Sequence, residues 1–225
     1  MNEPEKRKNG LGVEIQLIEG LNIPKIIAIS GKFGTGKDTL IRLIKEEIQA
    51  RTMVVSVMEH KFAAALKVST AAMTGTTIEE NYTDEGKARF LPELGMTLGR
   101  FQQVHGVLAR DHIHPDIWVI PVMRACKADY YSQSESKELL TVIHLISDCR
   151  FKNEAPAVQN AGGVVIRLAR RDDLISEKSK AGRDPNHVSE VDLDKYKHFD
   201  FFCQNDGSIQ DMRDSVFRFL GFLSQ

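Results

Sequence analysis

Apolar runs alternate along this chain with amphipathic stretches, and the two patterns predict strands and helices. Continuous β-branched apolar runs are typical of strands in a sheet that is covered on both faces. They predict strands at 25–30, 52–58, 139–147, 164–170 and 199–205. Helical spacing, alanine content and glycine stops predict helices at 37–50, 61–74, 93–110, from about 115, at 152–163 and from 209. This alternation predicts an α/β fold whose mostly parallel sheet has helices on both faces.

The predicted helix at 93–110 has an apolar and a charged side. Its apolar stripe consists of Leu94, Leu98, Phe101 and Leu108. Its opposite side carries Arg100, Gln103 and Arg110, and that side faces either solvent or a cleft. Gly99 and Gly106 thin the helix where another backbone or a ligand can approach. These glycines favour the cleft.

Composition narrows the classes of partner. The net charge is −1, so bulk electrostatics do not indicate a nucleic-acid partner. No apolar run approaches the roughly 20 residues that cross a bilayer, and the polar first ten residues are not typical of a secretory signal. We expect no membrane association, and a homodimer is among the assemblies that the sequence allows.

Domain organisation and compartment follow from the same numbers. The 225 residues suffice for one sizeable domain, and we expect a flexible leader over 1–22 and a single domain over 23–225. The cysteines at 126, 149 and 203 form neither a C-x-x-C pair nor a zinc spacing. Reduced cytosolic thiols, and hence a cytoplasmic protein, are the default interpretation.

A glycine-rich loop follows the first predicted strand. The stretch GKFGTGKDT spans Gly31 to Thr39 and has the G-x-x-x-x-G-K spacing. Glycines allow several backbone N–H groups to turn inward towards phosphate oxygens, and the next helix directs its positive dipole end to the same place. Lys37 would then reach the outer phosphates of a nucleotide. The pattern therefore predicts a nucleotide phosphate site.

Asp38 stands where this type of loop usually has Ser or Thr. Thr39 offers a hydroxyl one residue later. A carboxylate at the start of a helix is favoured by the helix dipole alone. Beside bound phosphates, however, Asp38 would be repelled unless a cation lies between, so Asp38 also indicates a Mg²⁺-dependent site.

Further charged residues follow later strands. Asp148 and Arg150 come at the end of the strongest predicted strand, and ligands of open α/β sheets gather at the carboxyl ends of strands. Asp148 can hold Mg²⁺, and Arg150 can reach a transferring phosphoryl group; a loop ion pair is the alternative. Arg170 and Arg171 open a charged segment, 170–190, that is either a lid over phosphates or a solvated loop.

Several motifs together resemble the bacteriophage-type deoxynucleoside monophosphate kinases. In order, they are GKFGTGKDT, FAAALK, TLGRFQQVHGVLAR, HPDIWV, SDCRFKNEAPAVQNAGGVVIRLARR, HVSEVDLD and FDFFCQND. The loop is generic, whereas the D-x-R-F-x-N-E block followed by GG-V-V-I-R-L is more specific. The resemblance runs from about Ile26 to the C-terminus. It implies a P-loop NTPase-type three-layer sandwich with an acceptor-binding helical region at about 59–127 and a lid at 170–190.

The resemblance also implies a function. It is the ATP- and Mg²⁺-dependent transfer of the γ-phosphoryl group onto a nucleoside 5′-monophosphate, in the cytoplasm of a cell or of a virus's host. Catalysis would fall to Lys37, Asp38, Arg150 and Arg171. Contacts to ATP would come from Gly31, Phe33, Gly34, Thr35, Gly36, Lys37, Asp38, Thr39, Arg170 and Asn205. Acceptor contacts would come from Phe62, Lys67, Arg100, Gln103, Arg110, Trp118, Asp148 and Arg150, and metal contacts from Thr39 and Asp148.

Some of these roles have competing explanations. Asn205 precedes Asp206 and Gly207, so it can form a turn as readily as it can meet adenine. The lid is expected to carry H-P-S-E, and the chain has His187, Val188, Ser189 and Glu190. Glu190 can therefore cap a helical turn instead of touching ligand. His112 and His114, two residues apart, have no third metal ligand nearby in sequence.

Two other activities fit part of the pattern. Animal-type phosphomevalonate kinases share the G-K-D ending and a similar strand-end S-D-x-R. An ATP-binding switch or assembly module would need no acceptor, but it would usually carry a strand-end Asp-Glu pair or N-K-x-D. Here the strand ends in Asp-Cys-Arg, and N-K-x-D is absent.

Overall fold

The computed structural model describes residues 7–18, 23–52, 55–135, 141–171 and 187–222, without the side chains of 129–135, 141 and 222. Contacts divide the chain into two compact units. Unit 1 comprises Met1–His60 and Ala125–Gln225, and unit 2 comprises Lys61–Arg124. Unit 2 has nearly the bounds that the resemblance implies for an acceptor-binding region.

Five of the seven strands in the described residues agree with the predicted order along the chain. The strands are β1 (Ile26–Ser30), β2 (Val55–His60), β3 (Phe90–Leu91), β4 (Met96–Thr97), β5 (Thr141–Cys149), β6 (Val164–Ala169) and β7 (Phe201–Gln204). The short β3 and β4 were not predicted. Unit 1 holds a five-stranded sheet in the order β2-β5-β1-β6-β7. Every neighbouring pair in it is parallel. Strands β3 and β4 form a separate antiparallel pair in unit 2.

Helices connect the strands, as expected for parallel pairing. They are α1 (Lys37–Arg51), α2 (Ala64–Thr74), α3 (Asp84–Ala88), α4 (Leu98–His112), α5 (Val119–Glu135), α6 (Glu154–Asn160), α7 (Val188–Val191) and α8 (Ile209–Phe222). Among the described residues, no helix combines the length and hydropathy that a bilayer crossing requires.

Helices cover both faces of the sheet of unit 1. Ile27 and Ile29 of β1 belong to the apolar core that α1 and α8 complete. Side chains alternate along a strand, so Ile26 belongs to the opposite face. There, a Cβ built on Gly163 would lie 3.0 Å from Ile26 Cβ and 2.8 Å from Val158 Cγ1 of α6. This arrangement confirms the predicted α/β sandwich with a parallel sheet between two helical layers.

Residues 7–18, the described part of the predicted leader, pack against unit 1. Ile15 and Ile18 are buried in the same apolar core as β1. The buried Asn9 side chain donates to the carbonyl oxygens of Gln159 at 2.7 Å and Gly163 at 3.0 Å. The stretch therefore contributes to the fold of unit 1. The rest of the predicted leader lies outside the described residues.

The predicted helix at 93–110 begins later than expected. Residues Pro92–Leu94 form a 3₁₀ turn, and the chain then passes through β4 before α4 begins at Leu98. Thr97 caps α4, because its hydroxyl accepts from the backbone N–H of Arg100 at 3.2 Å. The threonine cap was a local signal for this helix start, and the prediction overlooked it.

The predicted apolar stripe of that helix is wrong at two of its four positions. Leu94 lies outside α4 and is 42% exposed, and Leu108 is 50% exposed. The buried positions of α4 are Leu98, Gln102, Gly106 and Ala109. The amide of Gln102 donates to Asn81 Oδ1 at 2.7 Å, and this hydrogen bond makes burial of the polar side chain tolerable. The hydrophobicity of the side chains alone could not predict a buried helix face that contains a glutamine and a glycine.

Other boundaries shift by a few residues. Helix α1 continues to Arg51, and strand β2 spans Val55–His60. Residues 76–89, which lie between two predicted helices, contain α3, whose N-terminus is capped by the Thr83 hydroxyl. Helix α5 begins at Val119, after a turn at Pro115. The helix predicted from 209 is present as α8.

Candidate active site

The loop between β1 and α1 has the tight conformation that its glycines predict. Gly34 and Gly36 have φ of 72° and 96°, in the left-handed region that favours glycine. A Cβ on Gly31 would lie 2.7 Å from the carbonyl oxygen of Leu168, so only glycine fits there. Left-handed backbone therefore requires glycine at two of the three positions, and close approach of another strand requires it at the third.

Two side chains hold the shape of the loop. The Thr35 hydroxyl donates to the carbonyl oxygen of Lys32 at 2.8 Å. The Asn205 amide, just beyond β7, donates to the carbonyl oxygen of Thr35 at 2.8 Å. Asn205 therefore supports the loop, which neither sequence interpretation of this residue anticipated. Its contact with adenine stays a prediction.

Lys37 is the first residue of α1, and its ammonium group folds back into the loop. Nζ donates to the carbonyl oxygens of Gly31 at 2.8 Å and Lys32 at 2.6 Å. Burial and, to a smaller extent, the positive charge of Arg150 lower the pKa of Lys37 to about 7. Glu190, Asp38 and Asp148 act in the opposite direction. The loop therefore holds a lysine whose charge depends on a nearby anion.

A carboxylate from α7 meets the loop. Oε2 of Glu190 accepts from the backbone N–H of Phe33 at 2.9 Å, and Oε1 accepts from Nη1 of Arg150. Glu190 is only 9% exposed. An inward-facing loop amide and a guanidinium are the two donor types that phosphate oxygens prefer. A side-chain anion thus occupies the position where a phosphate group would be expected.

Arg150 is oriented by its own backbone neighbourhood. The buried carboxylate of Glu154 accepts from the backbone N–H of Arg150 at 2.6 Å and of Phe151 at 3.0 Å. This carboxylate stabilises the turn between β5 and α6 and fixes the backbone conformation at Arg150. The acidic residue of the D-x-R-F-x-N-E block is therefore a positioning residue. A glutamate at the start of a predicted helix is the sequence signal for such a role, but the prediction assigned no role to Glu154.

The segment that follows Glu190 adds two ion pairs beside the loop. Asp194 accepts from Nζ of Lys32 at 2.9 Å and from Nη2 of Arg167 at 3.1 Å. Arg167 also donates to the hydroxyl of Ser30, the last residue of β1, at 3.0 Å. These contacts join β1, β6 and the chain after α7 around the loop. Neither Asp194 nor Arg167 was among the predicted site residues.

Oxygen donors near the loop suit a magnesium ion. Asp38 and Thr39 lie in the first turn of α1, and Asp148 is the penultimate residue of β5. Both carboxylates raise the pKa of Lys37, which places them near its ammonium group. The buried Ser147 hydroxyl, one residue before Asp148, has no hydrogen-bond partner among the described residues. Hard oxygen ligands are those that Mg²⁺ prefers, so this set fits the predicted ion.

The predicted lid is described only at its two ends. The backbone N–H of Arg171 donates to Asp206 Oδ1 at 2.8 Å, and this hydrogen bond lowers the pKa of Asp206. Nε of Arg170 is buried without a hydrogen-bond partner in the described part of the chain. The range 172–186 lies outside the described residues.

The predicted acceptor residues all belong to unit 2 except Asp148 and Arg150. Phe62 is 1% exposed, and Lys67 lies over the ring of Tyr82, with Nζ 3.5 Å from the ring centroid. Nε1 of Trp118 donates to the carbonyl oxygen of Gly106 at 3.1 Å. Phe62 is therefore buried, and Trp118 packs within unit 2. Their contact with an acceptor stays a prediction.

The polar side of α4 is partly accessible. Arg100 is exposed, whereas Gln103 and Arg110 are half-buried, and Nη1 of Arg110 donates to the carbonyl oxygen of Gly106 at 3.4 Å. Packing inside unit 2 accounts for the two glycines of α4. A Cβ on Gly99 would lie 3.1 Å from the carbonyl oxygen of Lys87, and one on Gly106 would lie 3.1 Å from Leu66 Cδ2. They are not evidence for a ligand cleft.

The lowered pKa of Lys37 predicts that a nucleotide triphosphate binds together with a proton. Near pH 8 the free lysine is mostly neutral, because its pKa is about 7. Bound phosphates raise that pKa, so we expect uptake of about one proton per ATP near pH 8. Titration calorimetry in two buffers of different ionisation enthalpy measures this number. Lys37→Arg stays charged at all these pH values, so equal uptake by this variant would contradict the assignment.

Comparison with known proteins gives distant structural similarities. No family model matches this chain, and no curated protein sequence matches it. A sugar kinase from a Janibacter species is 12% identical, with 89% of this chain and 94% of that chain covered at a TM-score of 0.46. A shikimate kinase from Aquifex aeolicus is 12% identical, with 88% and 98% covered at a TM-score of 0.42. A dephospho-CoA kinase from Campylobacter jejuni is 14% identical, with 88% and 97% covered at a TM-score of 0.42. Identities and TM-scores this low assign neither a family nor an activity to this chain.

Proposed function

We propose that this chain is a P-loop phosphotransferase that moves the γ-phosphoryl group of ATP onto a (deoxy)nucleoside 5′-monophosphate, giving the diphosphate. One observation carries the proposal. The Glu190 carboxylate accepts from the loop amide of Phe33 and from Arg150, so the loop already stabilises an anion beside a strand-end arginine. A phosphoryl group in that place would meet donors from two directions.

The loop residues would bind ATP. The amides of the loop and the N-terminus of α1 would hold phosphate oxygens. Lys37 would turn from the carbonyl oxygens of Gly31 and Lys32 towards the outer phosphates. Thr39 and Asp148 are the residues that would hold Mg²⁺, which would supply positive charge to neutralise the phosphate oxygens.

Transfer itself would depend on positioning and charge. Arg150, directed by Glu154, would stabilise the charge that develops on the moving phosphoryl group, with Arg171 as the second candidate. Asp38 would orient Lys37 or a magnesium-bound water. A monophosphate acceptor is already ionised, so the site needs no general base to activate it.

The resemblance to deoxynucleoside monophosphate kinases suggests the acceptor. It assigns Arg100 and Arg110, with Gln103 between them, to the acceptor phosphate. Phe62, Lys67 and Trp118 would form the surroundings of the nucleoside. A protein of this kind would act on small molecules, with neither nucleic acid nor membrane as partner.

A coupled assay of diphosphate formation across the common dNMPs and NMPs tests this function. We expect ATP-dependent turnover with at least one monophosphate. Turnover with 5-phosphomevalonate alone would replace the proposal by the phosphomevalonate kinase alternative. Slow ATP hydrolysis that is indifferent to every monophosphate would support an ATP-binding switch instead.

Replacing Arg100, the exposed arginine of α4, distinguishes an effect on acceptor binding from an effect on ATP binding. Losing a charge-assisted hydrogen bond costs about 1.5–3 kcal/mol, or roughly 10–100-fold in affinity. We therefore expect Arg100→Ala to raise the KM of the acceptor by at least about tenfold while the KM of ATP changes little. Steady-state kinetics with each substrate varied in turn measure both constants. Arg124→Ala removes another exposed arginine of unit 2 and serves as the control; equal effects on both substrates would contradict the role of Arg100.

A further inference from the structure

Three side chains that are far apart in sequence meet on one face of the sheet of unit 1. His60 ends β2, His144 lies in the middle of β5, and Cys126 lies in α5. A ring nitrogen of each histidine and Sγ of Cys126 all lie within 4.8 Å of one another. These residues are not part of the phosphate site.

Strand register explains why the two histidines meet. β2 and β5 are neighbouring parallel strands, with Met58 opposite His144 and His60 opposite Ile146. Ile143 and Leu145 belong to the core on the α1 face, so His144 is on the other face. His60 follows Glu59, whose carboxylate binds Lys45 of α1 at 2.7 Å, so His60 also lies away from α1. Cys126 reaches the histidines from α5 on that side.

The donor set is chemically distinctive. Two imidazoles and one thiolate suit zinc, which binds nitrogen at about 2.0–2.1 Å and sulfur at about 2.3 Å. His144 and Cys126 are 3% and 4% exposed, and His60 is half-buried, so the cluster is open towards one side. A three-residue set with one open position is a known arrangement for zinc, the fourth ligand being water.

The local geometry is close to what an ion requires. His60 Nε2 and His144 Nδ1 are 2.9 Å apart and share a hydrogen bond. Two nitrogens on one tetrahedral ion lie about 3.3 Å apart, so a shift of a few tenths of an ångström admits the ion. The donating histidine must then move its proton to its other nitrogen, and the thiol must lose its proton to solvent. Zn²⁺ binding therefore releases one proton, that of the thiol. Both histidine nitrogens that face the ion are then unprotonated.

We propose that unit 1 binds one Zn²⁺ through His60, Cys126 and His144. The ion joins β2 and β5 to α5, so it stabilises the folded chain against unfolding. The site is separate from the proposed phosphoryl transfer, because none of its residues lies in the loop or is among those assigned to ATP, Mg²⁺ or the acceptor.

Cobalt substitution of the full-length protein tests the site directly. After chelation and removal of the chelator, titration with Co²⁺ is expected to give one ion per chain and a thiolate-to-cobalt charge-transfer absorption in the near ultraviolet. Zn²⁺ is expected to displace the cobalt, and its binding to the apo-protein to release one proton. Zn²⁺ is also expected to raise the thermal unfolding midpoint.

Single variants identify the ligands. Cys126→Ser is expected to remove the charge-transfer absorption and the thermal shift. His60→Gln and His144→Gln are each expected to weaken Zn²⁺ binding by more than about 100-fold, since even outer partners of metal ligands cost about 10–100-fold. Cys203→Ser alters another buried cysteine and is expected to keep both signals. If Cys126→Ser fails to fold, covalent labelling of Cys126 by a thiol reagent must become slower when Zn²⁺ is added to the unmodified chain.

Two results would overturn the proposal. The first is Co²⁺ binding without the charge-transfer band in the unmodified protein. The second is that the Cys126→Ser and Cys203→Ser variants bind Zn²⁺ with the same affinity. Either result would leave the histidines as a hydrogen-bonded pair beside a thiol and assign any bound ion to other residues.

Discussion

Replacing Lys37 by alanine is expected to lower kcat by about 10²–10³-fold or more, because the loop loses the cation that meets developing phosphate charge. In the free protein, Nζ of Lys37 binds two loop carbonyl oxygens. The diphosphate-forming assay measures the effect at saturating ATP and acceptor.

The fold should survive this substitution. Burial lowers the pKa of Lys37 to about 7, so folding favours the neutral amine over the charged one. Between about pH 7 and the unfolded pKa near 10.5, the unfolded chain binds more protons than the folded chain, and stability rises with pH. Lys37→Ala should remove this rise and leave the unfolding midpoint near neutral pH no lower than before.

The neighbouring Lys32 supplies a matched control for Lys37. Its ammonium group binds Asp194 beside the loop, so it belongs to an exposed ion pair of small energetic weight. Lys32→Ala is expected to keep most of kcat. A Lys37→Ala protein that retains normal turnover would reject the assignment of the loop, and equal losses in both variants would point to a general disturbance of the loop.

Replacing Glu190 by glutamine is expected to tighten ATP binding by roughly 10–100-fold, the value of a charge-assisted hydrogen bond. The carboxylate holds the Phe33 amide and the Arg150 guanidinium. A phosphate group that uses these donors must first displace Glu190. The neutral amide of glutamine competes for them far less strongly. Calorimetric titration with ATP and Mg²⁺ in the absence of acceptor measures the change.

A nearby carboxylate separates this effect from general loss of negative charge. Asp192 accepts from the backbone N–H of Lys152 at 2.7 Å and pairs with its ammonium group. Asp192→Asn removes the same charge two residues away, and it is expected to leave ATP affinity nearly unchanged. Weaker ATP binding by Glu190→Gln would contradict the displacement and would assign Glu190 to the ligand-bound state instead.

Local patterns predicted the loop well. The strand before it, the three glycines, the lysine and the amphipathic helix lie within one short stretch, so their geometry depends mainly on neighbours in sequence. The conformations of Gly34 and Gly36 follow from this pattern. The parallel sheet was also predictable, because alternation of strands and helices leaves few other ways to pair the strands.

The buried face of α4 shows where local patterns fail. Periodicity ranks the faces of a helix by hydrophobicity, and it placed Leu94 and Leu108 on the predicted apolar face. The structure buries Gln102 and Gly106 instead, because Asn81 satisfies the glutamine and Leu66 fills the space beside the glycine. Both partners come from other parts of unit 2, and no window along α4 contains them.

The sequence by itself determined the glycine-rich loop between β1 and α1, the order of strands and helices, and the presence of arginines and aspartates at strand ends. Tertiary structure decided which distant side chains share a place. Glu190 reaches the loop across more than 150 residues of chain, and His60, Cys126 and His144 meet only because β2 pairs with β5 under α5. The physical reason is that periodicity along the chain sets the face on which a side chain lies, whereas the order of strands in the sheet sets its neighbours.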